Sequence, residues 1–359
     1  MMTEERRKVL DMLSEGKVTV EEAERLLEVL QDSHRVETRK KRRRRRINDP
    51  ISPIPGVEAL QDSLEGLGEE IGKGLEEGLE GLEESLSGWS ESEEDPRDED
   101  GKPSMRDDTF AVGDNPRLVV RGFNGRIRVL AGEPGSIRVR TRLKKPRGIK
   151  YRAVQEGDLV TVEAKPDRQS EGFLHGLSRQ SSGANIEVTV PVATSVDLAT
   201  SNGPVELQGT EGGGAVQTKN GRIRVENFKG DLNATTKNAP ITVKTFSGSA
   251  ELSSTNSRVS IEDAYGRFDA RTTNGSIKFQ GSIEPGTDNR LSTTNGSIKV
   301  ALDADPSFKL TAATVNGRVR CEVPGFVAAV EKRHKLKGTV GEGEAELIAK
   351  TVNGSIAIQ

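Results

Sequence analysis

The sequence predicts a mainly β protein: over residues 112–359, a parallel β-solenoid of stacked coils 18–21 residues long. Three observations lead there. A short asparagine-centred motif returns along the second half of the chain. Apolar residues alternate strictly after each asparagine. The composition of 39 glycines with only 3% aromatic residues leaves burial to many small aliphatic side chains, which a repeat architecture supplies.

The motif runs SNGPVEL, KNGRIRV, KNAPITV, TNSRVSI, TNGSIKF, TNGSIKV, VNGRVRC and VNGSIAI, with an earlier copy, FNGRIRV, at Asn124. Its asparagines are Asn202, Asn220, Asn238, Asn256 and Asn274, every 18 residues, then Asn295, Asn316 and Asn353 at steps of 21, 21 and 37. Three and five residues after each come apolar pairs such as Val205/Leu207, Ile223/Val225 and Ile356/Ile358. That period-two pattern marks a strand with one buried face. Two residues before stands a hydroxyl: Thr200, Thr218, Thr236, Ser254, Thr272, Thr293, Thr314 or Thr351. Gly212, Gly230, Gly248 and Gly266 mark a second corner. Asn-Gly tolerates positive φ and so suits a sharp corner; it is equally a hairpin signal. Recurrence of every slot favours stacked coils over separate hairpins, because stacking explains the ladder. Cys321 falls on an inward position, where a structural thiol is expected. Residues 112–192 read as an irregular start to the same sheets, with a polar loop at 165–184.

Two regions precede the solenoid. Residues 1–34 read as a helical hairpin: Val9, Leu10, Met12 and Leu13 precede Gly16, and Thr19 opens a capping box with Glu22 ahead of Ala23, Leu26, Leu27 and Leu30. So small a unit needs a partner to cover its apolar face. Residues 35–111 hold the basic run RKKRRRRR, a leucine-striped amphipathic helix from Leu60 to Leu86, and an acidic linker. Residues 51–108 carry 4 Lys+Arg against 19 Asp+Glu, while residues 109–359 carry 35 against 26. The glycines within the leucine stripe weaken an isolated helix, so a protein partner or self-association is expected to cover it. The basic run lacks interleaved aromatics, which disfavours nucleic acid without excluding it. No apolar run of signal-peptide or membrane-spanning length occurs, which leads to the expectation of a cytoplasmic chain, peripheral to a membrane at most.

The repeat ladder and the strand NIEVTVPV before it resemble the bacterial "putative adhesin" β-strand-repeat family, a domain of unknown function that includes YvlB-like proteins. The segment ERRKVLDMLSEGKVTVEEAERLLEVL resembles the short helical unit found at the N-terminus of such proteins. The resemblance implies right-handed winding, no defined catalytic residues, and a link to the cell envelope or its stress responses.

Chemistry is sparse. His34, His175 and His334 are scattered, and no metal, nucleotide or redox motif occurs, so no cofactor and no enzyme activity are expected. A polysaccharide-active β-helix enzyme would need clustered carboxylates that the repeated outward positions lack. Those positions instead carry Arg126, Arg128, Arg222, Arg224, Arg258, Lys278, Lys299, Arg318 and Arg320, with Glu206 as the one acid in the set. In register they would form a basic stripe for an anionic polymer, an acidic membrane surface or the acidic segment itself; the alternative is an ordinary solvated strand face. The leading expectation is a non-enzymatic interaction or scaffold protein.

Overall fold

A computed structural model describes residues 104–144, 148–167, 182–303 and 305–359. The helical hairpin, the basic run, the leucine-striped segment and His175 lie outside the described residues. Within them the protein is built from 22 strands and no α-helix.

Each coil has two straight legs joined at two corners. The legs that follow the asparagines form sheet I. It begins at the outer edge with β1 (Ser104–Ala111), then β4 (Ser136–Lys144) and β7 (Gly183–Pro191), joined antiparallel. Parallel strands follow: β3 (Ile127–Gly132), β9 (Val205–Gln208), and the first halves of β11 (Ile223–Thr236), β12 (Ile241–Ser254) and β13 (Val259–Thr272). It ends with β14 (Ile277–Ile283), β16 (Ile298–Leu302), β22 (Ile356–Ile358) and β18 (Val319–Cys321).

Sheet II holds the legs that lead into the asparagines. It runs β5 (Ile149–Glu156), β6 (Leu159–Pro166), β2 (Arg117–Arg121), β8 (Ser195–Thr200) and β10 (Glu211–Thr218). The second halves of the three long strands come next, then β15 (Asp288–Thr293), β21 (Ala345–Thr351) and β17 (Phe308–Thr314). An antiparallel hairpin of β20 (Lys335–Val340) and β19 (Val327–Lys332) closes the end. Among the described residues, β1 precedes residue 112, where the sequence sets the domain's start. β1 has a charged, irregular sequence and joins only by pairing with β4.

The core lies between the legs. Ile223, Val225, Leu232 and Ala234 are at most 2% exposed, and their equivalents in the other coils are buried apart from Cys321 in the last strand of sheet I. Phe228 and Phe246 stack with ring centroids 6.0 Å apart, and Phe268 and Phe279 continue the column edge-to-face. This aromatic file sits just inside the second corner.

The two corners use glycine differently. At the second corner Gly212, Gly230, Gly248 and Gly266 have φ of 121–140°, which only glycine adopts freely. The asparagine corner departs from expectation. None of its asparagines has positive φ, and of its glycines only Gly125 does. Glycine is needed there because coils touch: a methyl group on Gly221 would lie 1.7 Å from the Gly203 carbonyl oxygen. Ala239 and Ser257 occupy the same place in two coils, where the corner accepts a Cβ.

Three residues before Gly230, Gly248 and Gly266, the non-glycine residues Asn227, Thr245 and Asp263 take φ of 50–53°. Asparagine and aspartate tolerate that region; β-branched threonine does not. Thr245→Asn is therefore expected to stabilise the fold by about 1 kcal/mol, read as a raised urea midpoint. An unchanged or lowered midpoint would show that the hydrogen bond from Thr245 Oγ1 to Asp263 Oδ2 (2.9 Å) outweighs the backbone strain.

Coil order in space departs from coil order in sequence at both ends. β2 and β3 lie between β6/β7 on one side and β8/β9 on the other. The last coil, β21 and β22, lies between β15/β16 and β17/β18.

Candidate functional site: the asparagine corner and its charged flank

The sequence-predicted asparagines form one continuous ladder. Each Nδ2 donates to the Oδ1 of the neighbour on the N-terminal side: Asn202 to Asn124 at 2.8 Å, Asn220 to Asn202 at 2.6 Å, Asn238 to Asn220 at 2.7 Å and Asn256 to Asn238 at 2.8 Å. Asn274, Asn295, Asn353 and Asn316 continue it in that order, at 2.8–2.9 Å. All amide dipoles therefore point one way, so each bond polarises the next. Asn124 Nδ2 donates to the Ser182 carbonyl at 3.3 Å, which ends the ladder on that side.

The hydroxyls lie beneath, fully or nearly buried. Thr218 Oγ1 donates to the Gly203 carbonyl and Thr293 Oγ1 to that of Gly275, and five others repeat the bond one coil on. Thr200 Oγ1 is buried without a partner. Amide outside and hydroxyl inside thus fix the corner of each coil to the next.

The predicted cations flank this corner on sheet I, but the structure interleaves them with acids. Across the strands, Arg140, Glu187, Arg128, Glu206 and Arg224 stand in one row. Arg128 lies 3.7 Å from Glu187 and 3.6 Å from Glu206, and Arg126 lies 3.9 Å from Glu206. Arg224 bonds Glu226 at 2.6 Å, and Lys278 lies 3.4 Å from Glu262, which also holds Lys244 at 3.1 Å. The hydrogen bond from Lys244, joined by those from Lys278 and Ser260, holds the Glu262 carboxyl below its ordinary range. Of the nine predicted cations, Arg222, Arg258, Lys299, Arg318 and Arg320 make no ion pair within 4 Å to another described residue. The uniform stripe is thus broken in its N-terminal half by Glu187, Glu226 and Glu262. Glu226 and Glu262 lie six residues after an asparagine, beyond the two outward positions inspected in the sequence, and Glu187 comes from another strand.

Cys321 is half-buried rather than enclosed, because β18 is the last strand of sheet I. Burial nonetheless pushes its thiol pKa up, which disfavours the reactive thiolate. Among the described residues no group of three or more His, Cys, Asp or Glu side chains could hold a metal ion. Among them, too, no helix is long and apolar enough to cross a membrane.

Parallel coils stacked in register over a continuous amide ladder define a β-repeat protein. The model of the Toastrack DUF4097 family matches residues 117–359, and the chain belongs to that family. A SHOCT-like domain model matches residues 4–33, the stretch read as a helical hairpin. No curated protein matches the chain. Among solved structures, a "putative cell adhesion protein" from Clostridium sporogenes is similar at 13% identity and TM-score 0.27, over 71% of this chain and 99% of that one. A "putative adhesin" from Bacteroides fragilis is similar at 12% identity and TM-score 0.38, over 71% and 97%. A "putative lipid binding protein" from Parabacteroides distasonis gives 10% identity and TM-score 0.26, over 72% and 98%.

Proposed function

We propose that this chain is a non-enzymatic interaction or scaffold protein, linked to the bacterial cell envelope, whose stacked coils form a rigid surface. The observation that carries the reading is the unbroken asparagine ladder. It locks coils at the roughly 4.8 Å strand spacing and so holds outward side chains at fixed intervals. Family membership fits a repeat scaffold of this kind. The right-handed winding belongs to the same reading, and parallel β–connection–β units take that hand in about 98% of cases.

Assembly is assigned to residues 1–103, through the apolar stripes read from their sequence. Light scattering on the full chain and on a 104–359 fragment tests it. A larger mass for the full chain is expected; equal monomeric masses would sink the assembly role.

A second reading, binding of an anionic partner, is favoured by the unpaired Arg222, Arg258, Lys299, Arg318 and Arg320. Surface ion pairs already occupy the other cations of the row.

A further inference from the structure

The outward face of sheet II changes character over its last five strands. Before them Arg121 pairs with Asp197 at 2.6 Å, Arg267 with Glu251 at 3.8 Å, and Arg271 with Asp269 at 2.7 Å, while Arg117 and Lys229 stand apart from one another without an ion pair to a described residue. From β15 through β21, β17 and β20 to β19, the registers set three outward rows side by side. These rows carry six cations, Arg290, Lys309, Lys332, Lys335, Lys337 and Lys350. None of the six has an ion pair within 4 Å to another described residue. The only acids in the rows are Asp288 and Glu346. Lys332 and Lys335 oppose each other directly, an arrangement that costs energy unless an anion covers it.

The same face is also apolar. A register shift between Ala328 and Val330 sets Val327, Val330 and Lys332 opposite Thr339, Lys337 and Lys335, all on the outer side. Val327 is 72% exposed, and Ile348 and Val330 are partly exposed nearby. The rows cover on the order of 500 Å² at ordinary strand spacing.

We propose that this face docks on an anionic lipid bilayer. It rests on the anionic-partner reading but moves the site from sheet I to the end of sheet II. Lysines and arginines held against a charged headgroup layer contribute additively, while exposed valines reach the acyl boundary. A soluble polyanion has no use for Val327. A second copy would bring six cations against six.

The test uses the full chain with vesicles of phosphatidylglycerol and phosphatidylcholine, and of phosphatidylcholine alone, at low and high salt. Binding is expected only to the anionic vesicles and to weaken with salt. The double variant Lys335→Ala/Lys337→Ala should bind about 25-fold more weakly, about fivefold per cation. Val327→Ser should weaken binding by about fivefold to tenfold, the loss of one partly buried valine. Unchanged melting temperatures confirm that these exposed substitutions leave the fold intact.

Four results would overturn the proposal: no vesicle binding; equal binding by the double variant; binding to inorganic polyphosphate in place of vesicles, insensitive to Val327→Ser; or a dimer abolished by the same substitutions. If Arg318→Ala/Arg320→Ala abolishes vesicle binding and the sheet II double variant does not, the patch is wrong while the anionic-partner reading stands.

Discussion

Asn238→Asp is expected to cost about 2 kcal/mol, whereas Asn124→Asp, the same change at the ladder's end, costs well under 1 kcal/mol. The difference comes from polarity. Asn238 accepts from Asn256 and donates to Asn220 Oδ1 at 2.7 Å. A carboxylate keeps the first bond and turns the second into a contact between two acceptors. Asn124 accepts from Asn202 at 2.8 Å, a bond that a carboxylate strengthens. It gives up only the 3.3 Å bond to Ser182.

The Asn238→Asp penalty also depends on pH. Protonated, the new carboxyl can donate to Asn220, so its folded pKa lies above the ordinary value of about 3.9. Stability relative to the parent is then greatest in acid and falls as pH rises through that raised pKa. Urea midpoints of both variants across this range measure it. Equal costs at the two positions would show that the ladder bonds carry no net polarity.

Gly248→Ala should cost about 3 kcal/mol or more, against about 1 kcal/mol for Gly135→Ala. Both glycines have positive φ, 136° and 81°. At Gly135 a methyl meets nothing within 4 Å, so only backbone strain is felt. At Gly248 it would lie 2.2 Å from the Gly230 carbonyl oxygen, and the stack on that side must open. Thermal or denaturant unfolding of the two variants separates strain from collision. Similar losses would mean that the coils give way easily at this corner.

The repeat itself was legible because every coil solves the same problem with the same residue types. Alternation gave the inward slots of Ile223 and Val225, and the hydroxyl positions followed from recurrence alone. Coil order was not legible for the same reason. A slot that fits Asn316 fits Asn353 equally well, so nothing local tells the last coil to enter between its predecessors. The acids of the sheet I row were missed because cross-strand register decides which charges meet. Glu187 reaches Arg128 from 59 residues away in the chain. The sheet II cations escaped notice because β20 runs antiparallel, so Lys335 and Lys337 fall out of the repeat's phase. Positive φ at the asparagine corner was the wrong reason for the right glycine: contact between coils, invisible in one coil's sequence, requires it.

The placement of the final coil also sets how the protein bears load. Its strand β22 is flanked on both sides, by β16 and by β18. A pull on Gln359 along that strand therefore loads two rows of parallel hydrogen bonds at once, in shear. A terminal coil on the outside would instead peel away one bond at a time. Force applied along β22 meets a clamp, and the coil holds tension without peeling open.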